Sequence, residues 1–304
     1  MNDDFFYKRF SVGLALDSSA EEYEDLFNQY SGYIDNLYFS PPCGDSFHGR
    51  TKIAEQFHDP KMTDRFWQIL NVAAKHDIRL EVVFNTHLLD AESIQNAAEL
   101  FNKKDIFLDK ICVQDQYLDI VQDIFPDSKM VHSVNCMPND REKIIHDASK
   151  YDEYVVGRQY TRDTDLFRKI SESGTDCVLL LNNGCSHICG GCATQKHCHD
   201  SYLKSRESFT SEEIYAFQSI MPYEIDENWL DTSNVLLFKL STRNADVRYI
   251  RMCLDSYIHN DAEEYIKAGK EYYLLWSRLL WLAQDFNGFD YSNIKAIKGK
   301  YYYG

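Results

Sequence analysis

Residues 10–16, Phe-Ser-Val-Gly-Leu-Ala-Leu, and residues 20–30, Ala-Glu-Glu-Tyr-Glu-Asp-Leu-Phe-Asn-Gln-Tyr, set the pattern that decides the fold. The first run is short and apolar, which predicts a buried strand. The second run is polar, with apolar residues at helical spacing, which predicts an amphipathic helix. A strand followed by a helix is the repeating unit of an α/β fold with a parallel sheet.

The same alternation of strand and helix recurs along the chain. Eight strands alternating with helices over about 250 residues have the size and rhythm of a (β/α)8 barrel, with a doubly wound sheet as the alternative. We predict a TIM-type barrel over residues 1–260 and an added C-terminal helical segment over residues 261–304, packed on the barrel. That segment contains an apolar helix and ends in an aromatic tail. The predicted strands are 10–16, 33–39, 78–84, 106–113, 129–134, 153–156, 177–181 and 235–240, and the predicted helices, besides one through 66–70, are 20–30, 91–101, 116–124, 139–149, 162–172 and 246–258.

The composition indicates which partners and which cell compartment we expect for the protein. Its net charge of −16 argues against a broad nucleic-acid-binding face, because phosphate binding needs clustered Lys and Arg. No apolar run reaches about 18 residues, so we expect no membrane span. The acidic start of the chain lacks an apolar signal region, which predicts a cytoplasmic protein. In that reducing compartment, the nine cysteines are not expected to form a disulfide framework.

Four cysteines within fourteen residues give the strongest functional signal. Thiolates are soft ligands that suit an iron–sulfur cluster or zinc, and the spacing C-x3-C-x2-C-x5-C contains only one of the C-x2-C pairs that structural zinc sites use. We therefore predict a [4Fe–4S] cluster in a loop at 182–205. Zinc, or thiols without a metal, are the alternatives, and Cys43 or Cys136 could replace one ligand. The predicted ligands are Cys185, Cys189, Cys192 and Cys198.

Polar residues lie at the carboxyl ends of several predicted strands, where the functional groups of a parallel barrel are found. Lys239 and Arg243 lie at the end of the eighth strand, and two cations there suit an anionic substrate. An ion pair with one of the chain's many acids explains them equally well. His132 or His87 is predicted to carry protons. The rest of the predicted substrate site consists of Asn85 and Arg158.

The segment around the eighth strand carries a family resemblance. Phe-Lys-Leu-Ser-Thr-Arg at 238–243, followed by Tyr-Ile-Arg-Met at 249–252, resembles the F-K-I-E-G-R strand and the following helix of the U32 peptidase-like (collagenase-like protease) superfamily. Lys239 and Arg243 match the family's Lys and Arg, whereas Ser241 stands where the family has Glu. The chain therefore resembles a divergent, iron–sulfur branch of this superfamily.

This resemblance extends over about residues 10–258. Asn85 resembles the family's strand-three Asn, Cys43 matches a cluster-ligand position in some members, and the cysteine segment falls where the family places its own cysteines. The resemblance implies a (β/α)8 barrel with a [4Fe–4S] cluster, and oxygen-independent hydroxylation of RNA bases or of a quinone precursor. We therefore expect a [4Fe–4S]-dependent hydroxylase or other oxidoreductase that acts on a small molecule or a modified polymer.

Two other functions fit parts of the sequence. Cys185, Cys189 and Cys192 have the C-x3-C-x2-C spacing of radical S-adenosylmethionine enzymes, although in that superfamily the motif follows the first strand and here it follows the seventh. Alternatively, a metal only ties down a long loop, because metal binding contributes folding energy. The protein would then be a non-catalytic accessory or scaffold protein, whose apolar C-terminal helix docks a protein partner.

Overall fold

Eight parallel strands form a closed barrel in chain order, in which each strand pairs with the next and the eighth pairs with the first. The structure is a computed structural model, which describes residues 8–43, 56–84, 89–134, 140–157, 160–182, 213, 219–241, 246–272 and 291–303. The strands are β1 (Phe10–Gly13), β2 (Ile34–Phe39), β3 (Arg79–Phe84), β4 (Lys110–Val113), β5 (Lys129–His132), β6 (Glu153–Val155), β7 (Asp176–Leu180) and β8 (Leu237–Leu240).

Helices surround the barrel and follow the strands along the chain. They include a short 3-10 helix (Asp115–Tyr117) and a π-helix (Gly299–Tyr303). The helices of the described residues are α1 (Ala20–Tyr30), α2 (Pro60–Lys75), α3 (Ala91–Lys103), α4 (Leu118–Ile124), α5 (Arg141–Ala148), α6 (Thr164–Glu172), α7 (Pro222–Asp226), α8 (Val247–Ile258), α9 (Ala262–Tyr272) and α10 (Tyr291–Lys298).

The side chains before many helices explain where these helices begin. Before α1, the Ser19 amide donates to the Glu22 carboxylate at 2.7 Å, and the Glu22 amide donates to Ser19 Oγ at 3.3 Å, which forms a capping box. The predicted bounds of α1 are therefore confirmed. Several other helices begin after an aspartate whose carboxylate accepts a backbone N–H of the first turn. These residues are Asp59, Asp90, Asp140, Asp163 and Asp246.

The predicted barrel is confirmed, but most of its strands are shorter than the sequence predicts, β1 and β4 by the most residues. β1 ends at Gly13 rather than at residue 16, although the next residue, Leu14, still donates its amide to the Tyr38 carbonyl at 2.9 Å. β4 begins at Lys110 rather than at residue 106. Asp105, with φ of 54°, turns the chain after α3, so that the residues before Lys110 form the connection.

Alternating residues of the strands separate two layers of the core. One face of each strand packs against the helices and is mostly apolar, as at Leu37, Val82 and Leu179. The other face points into the barrel and also contains polar residues. The apolar residues of the interior are Tyr38, Val83, Cys112, Val131, Val155, Val178, Leu180 and Leu237.

The described parts of residues 261–304 pack on this barrel. The Tyr265 ring of α9 lies 5.4 Å from the Tyr257 ring of α8, and Ile294 of α10 is fully buried in the main core. The predicted apolar helix at 274–282 lies outside the described residues, so the exact domain division stays a prediction. No helix among the described residues is long and apolar enough to cross a membrane.

Candidate functional site

A network of four polar side chains lies inside the barrel. Asn36 Nδ2 donates to Ser11 Oγ at 3.0 Å and to Glu81 Oε2 at 2.7 Å. Lys239 Nζ donates to the other carboxylate oxygen, Glu81 Oε1, at 2.6 Å. The four residues come from β1, β2, β3 and β8, and all are buried. The closed barrel thus brings Lys239 and Glu81 together from strands that are not neighbours.

Tyr38 covers this network on the side of the carboxyl ends of the strands. Its ring centroid lies 4.3 Å from Lys239 Nζ, and its hydroxyl donates to the Leu240 carbonyl at 2.7 Å. Burial opposes the charge of Lys239, but the neighbouring Glu81 outweighs burial and raises the pKa of the lysine. Lys239 is therefore a buried ammonium in an ion pair, which is the alternative that the sequence left open. A role in substrate binding stays a prediction and would require Glu81 to share this cation.

A second charged cluster lies closer to the amino ends of the strands. Lys110 Nζ contacts Asp35 Oδ2 at 2.9 Å and Glu153 Oε1 at 2.5 Å, and Asp35 also pairs with Arg79 and Arg9. Burial raises the pKa of Glu153, and Lys110 only partly offsets this effect. Functional groups of such barrels gather at the opposite end, so we assign this cluster to stability.

The carboxyl end of β7 is where the chain enters and leaves the cysteine-containing part of the sequence. The Leu181 amide donates to the Lys239 carbonyl at 3.0 Å, and the Ile220 amide donates to the Leu181 carbonyl at 2.9 Å. Asn182 is fully buried, and its Oδ1 accepts the Ser241 amide at 2.5 Å. The described residues on the two sides of 183–218 are thus held beside each other at this end of the barrel.

Most of the predicted site residues lie outside the described residues. They follow strands whose carboxyl ends are described, so their attachment points lie around one rim of the barrel. Among the described residues, no three His, Cys, Asp or Glu side chains form a group that could hold a metal. The predicted site residues that lie outside the described part are Asn85, His87, Arg158, Arg243, Cys185, Cys189, Cys192 and Cys198, together with the alternative ligand Cys136.

The four described cysteines form no disulfide bond. Cys112, Cys177 and Cys253 are buried in the core. Cys43 is partly buried against the main core, and burial raises its pKa to about 12. Burial also raises the pKa of Cys253 to about 12. Because metal binding requires the thiolate, these environments do not favour ligation.

His132 points away from the barrel interior, because its strand neighbour Val131 belongs to the interior layer. Its ring stacks on Tyr154 with centroids 3.8 Å apart and planes within 6°, and it is 1% exposed. Neither ring nitrogen has a hydrogen-bond partner among the described residues, and Nε2 lies 3.5 Å from Asp115 Oδ1. The fold therefore does not bring His132 together with Lys239, and its role as a proton carrier stays a prediction.

Replacing His132 with phenylalanine is expected to change the free energy of unfolding at pH 7.5 by less than about 1 kcal/mol, because the stack on Tyr154 survives and no hydrogen bond is lost. Burial lowers the pKa of His132, so below its ordinary value of 6.5 the unfolded chain binds more protons than the folded one. The stability of the wild type should therefore fall as the pH drops below 6.5, and that of the variant should fall less. Urea unfolding at pH 7.5 and pH 5.5 measures this, and an unchanged pH dependence would contradict it.

Comparisons with known proteins define no family for this chain. No family model matches the chain, and the comparison with curated proteins finds no match. Among solved structures, the U32 peptidase Mk0906 is 13% identical, with 77% of this chain and 93% of that chain covered and a TM-score of 0.46. The tryptophan synthase a2b2 complex from Pyrococcus furiosus is 11% identical, with 86% and 97% covered and a TM-score of 0.43. The class of protein defined by the strand order is a (β/α)8 barrel.

Proposed function

We propose that this protein is a U32-like iron–sulfur barrel enzyme that uses a [4Fe–4S] cluster for oxygen-independent hydroxylation or another redox reaction. The observation that carries the proposal is the attachment of residues 183–218 to the carboxyl end of β7, through the hydrogen bond between Ile220 and Leu181. This stretch contains the four closely spaced cysteines. Barrels of this class hold their active sites at that end.

The donor set of this stretch fits the cofactor. Four thiols within fourteen residues supply the soft, anionic ligands that a cubane cluster takes from cysteine, and Cys185, Cys189, Cys192 and Cys198 would hold it. The four described cysteines pack within or against the hydrophobic core of the barrel, away from this stretch of closely spaced thiols in the sequence. When bound, the cluster would supply electron transfer or an iron that binds an oxygen-containing substrate group.

The side chains of the barrel would bind and orient an anionic substrate, either a small molecule or a segment of a modified polymer. Glu81 neutralises Lys239 inside the barrel, so the free positive charge would come from Arg243 and Arg158. Arginine suits this role, because its guanidinium binds a carboxylate or phosphate in a bidentate manner. Both follow strands of the barrel, as do Asn85 for substrate orientation and His87 for proton transfer.

The test is the content of iron and acid-labile sulfide in protein purified without oxygen. We expect about four irons and four sulfides per chain, with the absorption spectrum of a cluster. Replacing Cys189 with alanine should remove most of both, because it takes away one of the predicted ligands. Replacing Cys177 with alanine is the matched control, since this thiol is buried in the core, and the variant should keep its cluster.

Three outcomes would contradict the proposal in different ways. Zinc without sulfide would indicate a structural metal and an accessory or scaffold protein. Equal loss of iron in both cysteine variants would show that the predicted ligands do not specifically bind the iron. A cluster that binds S-adenosylmethionine would instead favour the radical S-adenosylmethionine-type enzyme.

A further inference from the structure

Ser219 and Ile220 begin the described chain after the cysteine-containing stretch, and buried side chains hold their backbone oxygens. The Ser219 carbonyl accepts Arg162 Nη2 at 3.0 Å and Lys298 Nζ at 2.6 Å. The Ile220 carbonyl accepts the Tyr257 hydroxyl at 2.6 Å. Ser219 is 2% exposed and Ile220 is 1% exposed. The chain therefore returns from the cysteine-containing stretch at a closely fixed position.

Glu224 organises this position from within α7. Its Oε1 accepts Arg162 Nε at 2.9 Å and the Tyr303 hydroxyl at 2.7 Å. Its Oε2 lies 2.8 Å from Lys298 Nζ and accepts the Met221 amide at 2.6 Å. Glu224 and Lys298 are both fully buried. A buried ion pair stabilises a fold only where hydrogen bonds also satisfy its polar atoms. Both carboxylate oxygens of Glu224 have such partners.

The partners of Glu224 come from distant parts of the sequence. Arg162 precedes α6, whereas Lys298 ends α10 and Tyr303 ends the π-helix that follows it. The Arg162 guanidinium also stacks over the Tyr302 ring, 4.1 Å from its centroid. Residues 298–303 thus pack against the position at which the chain returns to the barrel from the cysteine-containing stretch.

We propose that residues 298–303 form a C-terminal clamp, with Lys298 as a positioning residue that fixes the end of the cysteine-containing stretch and thereby the cluster ligands. This inference rests on the proposed function for its effect on the cluster, but the clamp itself consists of described residues. Lys298 reaches both the Ser219 carbonyl and Glu224, so one side chain of the tail connects the stretch to α7. A neutral side chain at position 298 would lose both contacts.

The test compares Lys298→Met with Lys295→Met. Lys295 is on the same helix and also contacts α7 and its end, but from a partly exposed position: it pairs with Glu227 and lies 4.9 Å from the Tyr223 ring centroid. Its replacement therefore controls for the loss of a surface contact between α10 and α7. We expect Lys298→Met to increase the amide hydrogen-exchange rate of residues 219–226 about tenfold, because a buried charged hydrogen-bond donor is lost. Iron should also be lost to a chelator about tenfold faster. Lys298→Arg should restore part of both. Lys295→Met should change the exchange rate much less than Lys298→Met does and should leave the iron loss unchanged.

A milder variant keeps the test decisive if Lys298→Met does not fold. Tyr303→Phe removes only the hydroxyl that donates to Glu224 and should change both rates in the same direction by a smaller factor. Wild-type rates in both Lys298→Met and Tyr303→Phe would overturn the clamp. A wild type without iron would overturn the proposed function, while hydrogen exchange would still decide whether the clamp exists. Faster exchange with unchanged iron loss would overturn the positioning of the cluster ligands.

Discussion

Replacing Glu224 with glutamine is expected to lower the free energy of unfolding by about 3–5 kcal/mol, the usual cost of removing one partner from a buried ion pair. The carboxylate is fully buried and pairs with Arg162 and Lys298. Glutamine would leave the buried Arg162 without its counter-charge. It would also leave Lys298, whose pKa burial and the nearby Arg162 lower to about 7, without the carboxylate that favours its charged form. Denaturant unfolding of the variant and the wild type measures the loss.

A surface control and a double variant show whether charge causes this loss. Glu227→Gln removes the partly exposed partner of Lys295, and its effect should stay below about 1 kcal/mol. Combining Glu224→Gln with Lys298→Met should recover part of the stability, because the buried amine that has lost its carboxylate partner is also removed. A loss below about 1 kcal/mol for Glu224→Gln alone would show that the cluster contributes little to folding.

The acid dependence of the same residue gives a second measure of this effect. Burial alone would raise the pKa of Glu224, but Lys298 and Arg162 outweigh it and hold the pKa at about 2, below the ordinary 4.5. The folded state thus binds fewer protons than the unfolded chain between these values. The stabilisation by Glu224 is therefore present above pH 4.5 and is lost as the pH falls toward 2. The glutamine variant should lack this part of the acid sensitivity.

The barrel could be predicted from the sequence because its signals are local. A capping box at Ser19 and Glu22 marks the start of α1, and apolar runs of strand length recur between helical patterns. The charged partners could not be predicted in the same way. Glu224 meets Arg162 and Lys298, which are 62 and 74 residues away in the chain, so no local period links them. Their meeting depends on how the tail packs on the finished barrel.

The direction in which each face of a strand points was also not predictable from the sequence. The alternation along β5 puts Met130 and His132 on one face and Val131 on the other, which the sequence indicates. It does not indicate which face points into the barrel. The apolar Val131 faces inward here and His132 faces the helices, whereas on β8 the polar Lys239 faces inward. Binary patterning therefore fails where the barrel interior carries its own charged pair.

The interior pair gives the second large effect. Replacing Lys239 with methionine is expected to lower the free energy of unfolding by about 3–5 kcal/mol, because Glu81 would remain buried without its counter-charge. Glu81 is 1% exposed and, among the described residues, would keep only the hydrogen bond from Asn36. Methionine has a similar length, so the loss of packing should be small. Denaturant unfolding measures the difference.

The matched control is Lys129→Met on β5, because Lys129 is an exposed strand lysine that lies 3.9 Å from Asp176. Its effect should stay below about 1 kcal/mol. Combining Lys239→Met with Glu81→Gln removes both charges and should restore much of the stability, because the buried carboxylate is no longer unpaired. If the double variant is as unstable as Lys239→Met alone, packing rather than charge explains the loss. If Lys239→Met lowers the free energy of unfolding no more than Lys129→Met does, the barrel does not need the interior ion pair for folding. The predicted role of Lys239 in substrate binding would then be the better explanation for a cation at this position.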